Sequence, residues 1–194
     1  MKAFEWVNSE IGITPPGDFY CQSRDIAQAR TEKLPALLIS VGWSEDQAGL
    51  FSAVIGELVG NCFDHNIGQW KDIPGCWLET QIDKNSVRIF IADRGQGVLA
   101  SLQRVLPDLS DPVEALKKAF TEIITGRAPE KRGNGLKFVL RSLQKIFNVE
   151  SFVFISDSAK LFFADLIELS NFDSHLEKIK LIRGTYSEIL IRKI

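Results

Sequence analysis

Three groups of residues in this 194-residue chain combine types and spacings suited to chemistry. Glu57, Asn61 and His65 lie four apart. On a helix that spacing stacks them along one face. A carboxylate and an amide so stacked can activate a nucleophile and help to hold Mg²⁺ through oxygen ligands. The second group is Asp93-Arg94-Gly95-Gln96-Gly97, directly after the apolar run 87–92. A carboxylate at a strand end can accept a hydrogen bond from an exocyclic amine, and the two glycines let backbone approach a flat ring or enter tight turns. The third is Lys131-Arg132-Gly133-Asn134-Gly135-Leu136, leading into a helix. Free N–H groups at a helix N-terminus favour anions, and glycines let phosphate come close. Lys131, Arg132 and Arg127 add positive charge. Each motif alone has a plainer reading: a solvated helix face, a turn that ends a strand, or a loop that opens a helix.

The elements that must position these groups follow from pattern. The first 20 residues carry little signal beyond a short strand around Phe4, Trp6 and Val7 and a turn at Pro15-Pro16-Gly17. Residues 23–41 read as one helix stopped by Gly42. Ser44 reads as an N-cap with Gln47 three residues on, opening a helix to about His65 whose apolar positions include Leu50, Phe51, Val54, Leu58 and Val59. Residues 77–82 and 87–92 read as strands joined by a turn at Asp83-Lys84-Asn85. A long polar connection after Gly97 holds one helix, capped by Asp111 with Pro112 at its first position and ended by Gly126. A mobile basic loop over 127–134, an amphipathic helix over 136–147 and strands over 151–156, 160–167 and 185–192 complete the chain, with 170–182 ambiguous. Hairpin-connected strands with helices over one side predict an α/β two-layer sandwich on a mixed, mainly antiparallel sheet.

Composition narrows the function classes. The length suits one domain with a substantial core, and 45% hydrophobic with 25% charged residues is ordinary for a globular protein. The net charge of −2 argues against a general nucleic-acid surface, which needs clustered Lys and Arg. Cys21, Cys62 and Cys76 are odd in number and lack C-x-x-C spacing, so they read as reduced thiols of a cytoplasmic protein rather than a disulfide frame or zinc site. No signal peptide is visible. No apolar run is long enough for a bilayer; the most apolar stretch, 152–169, is interrupted by Asp157, Lys160 and Asp165.

The order of the three motifs adds what none carries alone. With Gly184-Thr185 opening a last strand, they resemble the GHKL ATPase superfamily, which includes histidine-kinase catalytic domains, anti-sigma-factor kinases, type II topoisomerases and a class of heat-shock chaperones. Residues 57–65 resemble its N box, 93–97 its first glycine box and 132–136 its second; the likeness covers about 44–192. It implies the Bergerat ATP-binding fold, with 44–194 as the core, 98–134 as a lid, and 1–43 as an extension packed on or flanking the core within a single domain. It further implies ATP and Mg²⁺ as ligands. Asn61 would coordinate the Mg²⁺ and Glu57 would act as general base. Asp93 would bond the adenine amino group, supported through water by Thr185. Gly95 and Gly97 would shape the base pocket, while Gly133 and Gly135 would sit beside the phosphates with Lys131, Arg132, Asn134 and Leu136. His65 would contact phosphate or pack. Lys137 departs from the pattern, standing where the second box often has a further glycine.

Within that family a conventional histidine kinase is disfavoured, because the only histidines are His65 and His175 and neither lies upstream of the N box. The resemblance points to a stand-alone regulatory kinase or ATPase similar to the anti-sigma-factor serine kinases, acting on a small protein partner encoded nearby. A nucleotide-dependent switch with little turnover is the competing expectation. A non-binding relic is the third. Residues 1–43 offer a surface for a partner or a homodimer; neither nucleic acid nor membrane is expected as a partner.

Overall fold

The computed structural model describes residues 1–124, 135–146, 148–164 and 171–193. The expected Gly126 stop, the 127–134 loop with Arg127, Lys131, Arg132, Gly133 and Asn134, the helix end at Phe147 and the strand end at 165–167 lie outside them. The helices are α1 (Ala3–Asn8), α2 (Arg24–Thr31), α3 (Leu34–Ser40), α4 (Glu45–Asp64), α5 (Gly97–Gln103), α6 (Pro112–Thr121) and α7 (Gly135–Ile146). The strands are β1 (Tyr20–Cys21), β2 (Cys76–Ile82), β3 (Ser86–Asp93), β4 (Asn148–Ser156), β5 (Ala159–Phe163), β6 (Leu176–Lys178) and β7 (Thr185–Arg192). They form one sheet in the order β1-β2-β3-β7-β4-β5-β6. Every described ladder is antiparallel, so the mixed component of the expected sheet is absent among the described residues.

Strand alternation makes this a two-layer α/β sandwich. Val87, Ile89 and Ile91 of β3, Ile189 and Ile191 of β7, and Phe152 and Phe154 of β4 share one core with the apolar faces of α2, α3, α4, α6 and α7. A register shift between Val149 and Ser151 keeps Val149 and Phe152 in that same core despite their odd spacing. Alternate residues face the other way, where Trp77, Ala92, Ile155 and Tyr186 meet α1.

Several expectations need correction. Phe4, Trp6 and Val7 belong to helix α1, not a strand. The Glu5 carboxylate accepts from the Lys2 backbone N–H at 2.8 Å, and Ala3, Trp6 and Val7 fall on one buried side. The segment 23–41 is two helices. Pro35 has no N–H to donate, and its ring would clash with the Thr31 carbonyl in a continuous helix, so α2 ends at Thr31 and Pro35 enters the first turn of α3. The connection after Gly97 holds α5 as well as α6. The N-terminal N–H groups of α5 are capped from the β4–β5 turn, Val98 by Ser156 Oγ at 2.8 Å and Leu99 by Asp157 Oδ2 at 3.2 Å, and nothing near Gly97 in sequence signals this. The ambiguous 170–182 region contains a 3₁₀ turn (Phe172–His175) and β6.

The remaining helix starts agree with their signals. Ser44 Oγ accepts from the Gln47 N–H and caps α4, and Asp111 Oδ1 accepts from the Val113 N–H and caps α6. Among the described residues no helix is long and apolar enough to cross a membrane.

The first 43 residues contribute directly to the core. Trp6 is fully buried, lies tilted against Trp77 with ring centres 6.1 Å apart, and donates from its indole to the Ile13 carbonyl at 2.6 Å. Trp6→Ala is expected to cost about 3–5 kcal/mol in chemical denaturation; a loss under about 1 kcal/mol would mean that α1 does not seal this end of the sheet.

Candidate functional site

One row of the sheet carries both Asp93 and Thr185. Cys21, Cys76, Asp93, Thr185, Ser156 and Ala159 are successive register partners across β1, β2, β3, β7, β4 and β5. The next row inward on the same face runs Leu78, Ile91, Ser187, Phe154 and Leu161. Above these rows lies a cleft of about 590 Å³ whose lining includes Glu57, Asn61, His65, Asp93, Gly97, Gly135, Leu136 and Thr185. Residues of the first two motifs and the described end of the third, Gly135 and Leu136, therefore meet at one cavity of ligand-binding size.

Asp93 ends β3 and is 1% exposed. Its Oδ1 accepts from Asn66 Nδ2 and from the Gly95 N–H, both at 2.8 Å. Its Oδ2 accepts from Thr185 Oγ1. Burial nevertheless outweighs these donors and raises the carboxyl pKa above its ordinary 3.8.

Asn66 is a residue that motif spacing does not reveal. It follows the N-box-like segment, is 3% exposed and has its amide fully used. Besides Asp93 it donates to the Cys62 carbonyl at 2.9 Å and accepts from the Gln96 N–H at 3.1 Å. It thus stitches the end of α4 to the turn after β3.

The glycines are explained by close approach. A Cβ on Gly95 would fall 2.0 Å from the Asn66 amide. Gly97 has φ +84°, and a Cβ there would lie 2.5 Å from the Asp157 carboxylate that caps α5. Gly184 has φ +123°, and its Cβ would sit 2.1 Å from the Asp93 carbonyl oxygen. That bare backbone lets β7 start close enough for Thr185 to reach Asp93.

At the other end, α4 presents exposed Glu57 and half-buried Asn61 to the cleft, while its C-cap, half-buried His65, lines it beside Asn66. Helix α7 packs against α4 and starts at Gly135, where a Cβ would lie 2.6 Å from Glu57 Oε2 and 3.8 Å from Asn61 Nδ2. The acid, the amide and the first described residue of α7 are therefore adjacent. His65 Nδ1 hydrogen-bonds Ser101 Oγ of α5 at 2.8 Å, and its carbonyl accepts from Gln96 Nε2. Arg24 of α2 also lines the cleft and ion-pairs with Asp64; no motif marks it in the sequence. The positions of Lys131, Arg132, Gly133 and Asn134 lie outside the described residues.

The three cysteines are buried and free. The neighbouring thiols of Cys21 and Cys62, together with burial, hold the Cys76 pKa well above its ordinary value. Among the described residues no group of three or more His, Cys, Asp or Glu side chains is placed to hold a metal.

No protein-family model matches the chain, and no curated protein matches it.

Two outcomes test this geometry. Gly184→Ala combines a disfavoured φ with a backbone collision, so chemical denaturation is expected to show a loss of at least ~2 kcal/mol; a change within about 0.5 kcal/mol would refute the close approach. For Asp93, a raised native pKa means the native state binds its proton more tightly than the unfolded chain does. The stabilising contribution is complete below 3.8 and is lost as pH climbs through the raised value. The stability of wild type relative to Asp93→Asn should therefore fall as pH rises from 3.8 towards neutrality; a flat difference would show that burial does not perturb the carboxyl.

Proposed function

We propose that the chain is an ATP–Mg²⁺-binding domain of the GHKL type, serving as a regulatory protein kinase or ATPase that acts on a protein partner in the cytoplasm. The observation that carries this reading is the buried Asp93 carboxylate at one end of a cleft whose other end holds Glu57, Asn61 and the start of α7. A carboxylate offers about four acceptor positions. Asn66, Gly95 and Thr185 take three from the protein side, and the cleft side of Asp93 suits the amino group of adenine. Ile91, Phe154, Leu58 and Leu136 supply apolar walls for the ring.

At the phosphate end, the N-terminus of the 12-residue helix α7 favours an anion. The donor set there suits Mg²⁺, a hard cation that keeps several waters and draws most of its remaining ligands from phosphate oxygens. Asn61 would supply the protein oxygen. When bound, the metal would offset phosphate charge. Glu57 is exposed at this end, where a carboxylate can accept the proton of an attacking hydroxyl or water.

A second reading has its own support. Val98, Ser101 and Leu102 of α5, Ala119 of α6 and Gly135 of α7 all line the cleft. A nucleotide would touch α5 and α6 of the 98–134 connection and so alter an outer surface that a partner could read, with little turnover required.

Calorimetry with ATP–Mg²⁺ comes first, and absent affinity would sink both readings. With γ-labelled ATP and proteins encoded beside the gene, transfer or release of label that disappears in Glu57→Ala supports catalysis. Tight binding with neither supports the switch. Asp93→Asn should weaken ATP at least about tenfold, the effect of losing one charge-assisted hydrogen bond; unchanged affinity would remove Asp93 from the base pocket.

A further inference from the structure

Arg94, between Asp93 and Gly95, is completely buried, yet its guanidinium lies on the opposite side of the sheet from the cleft. All five of its N–H donors are used. Nε and Nη2 grip the two oxygens of Asp72 at 2.7 and 2.6 Å, a bidentate pair. Nη1 donates to the Trp6 carbonyl at 2.5 Å and to Ser9 Oγ at 3.1 Å, while Nη2 donates to the Ser9 carbonyl at 3.0 Å. The guanidinium carbon lies 5.8 Å from the centre of the Trp6 ring. The same residue is held through its backbone, because its carbonyl accepts from the Lys71 N–H at 2.9 Å. Asp72 answers the charge: the guanidinium bond holds its carboxyl below the ordinary value.

We infer that Arg94 is a positioning residue for the nucleotide site, locking the Asp93–Gln96 turn to the N-terminal segment so that docking of α1 and binding of adenine are coupled. This rests on the function proposed above. The argument is geometric. Asp93 can meet a base only if its carboxylate keeps one orientation, and on the cleft side that orientation depends on Asn66 and Thr185. On the far side the next residue is fixed by a planar fork whose partners belong to α1, to Ser9 and to the loop after α4. Loosening the fork lets the turn rotate and moves Asp93 with it. By linkage, a nucleotide that holds Asp93 in place must also favour the docked N-terminal segment. Lysine cannot stand in, since an ammonium has three donors and no fork.

The test compares wild type, Arg94→Lys and Arg94→Met by calorimetry with ATP–Mg²⁺ and with tripolyphosphate–Mg²⁺, and follows amide hydrogen exchange over residues 3–9 with and without saturating ATP–Mg²⁺. The coupling predicts that both variants lose about tenfold or more in ATP affinity while binding tripolyphosphate as wild type does, because only the base contact is disturbed. It also predicts that ATP slows exchange at residues 3–9 in wild type. If the variants do not fold, the wild-type exchange result decides alone. Folded variants with unchanged ATP affinity, an equal loss for tripolyphosphate, or wild-type amides indifferent to bound ATP would each overturn the inference and leave the proposed function standing. Wild type that binds no ATP would overturn both.

Discussion

A carboxylate sealed from water must find its hydrogen bonds inside the protein, and at Asp93 this requirement organises much of the molecule. Its donors come from separate places: Asn66 just past α4, Gly95 in the following turn and Thr185 at the start of β7. Meeting them together fixes the helix over the sheet, the turn against the helix and the last strand beside β3. The glycines at 95 and 184 follow from this packing, since side chains there would occupy the space of the Asn66 amide and the Asp93 carbonyl. The cleft is the space left beside this assembly.

The sheet's alternation gives the next residue an equal and opposite task. Asp93 faces the helical layer and Arg94 faces α1, so adjacent residues carry opposite charges to opposite sides of one sheet. Neither charge is left without partners. The turn that follows them is consequently tied down from both sides, although it bears two glycines. Glycine content here reflects tight approach rather than looseness.

Much of this is legible in the amino-acid sequence. Helices α4 and α6 announce themselves through Ser44 and Asp111, whose capping is local and therefore visible locally. Strands β2, β3, β4 and β7 show as β-branched and aromatic runs. What stays hidden is fixed from a distance. The cap of α5 comes from Ser156 and Asp157, 58 residues on. Helix α1 has only six residues and owes its place to Trp77, Tyr186 and Arg94. Strands of two and three residues, β1 and β6, are too short to carry a period. The same division holds for the site. Glu57, Asn61, Asp93 and the glycines sit in contiguous motifs, whereas Asn66, Ser101 and Arg24 reach the cleft by virtue of tertiary packing alone.

The strand order has a consequence for how such a site comes into being. β3 lies between β2, its hairpin partner, and β7, the last of the described strands, and Asp93 and Thr185 are 92 residues apart in sequence. The cleft floor likewise joins Ile91 to Ser187 and Phe154. Such distant pairings close large loops and tend to form slowly. On a ribosome, which releases the N-terminal part first, β2 and β3 can pair while Asp93 still lacks its threonine. The cavity is completed only once β7 slots between β3 and β4, so competence to hold a ligand waits for a strand made long after Asp93 and reports that the two halves of the sheet have been joined.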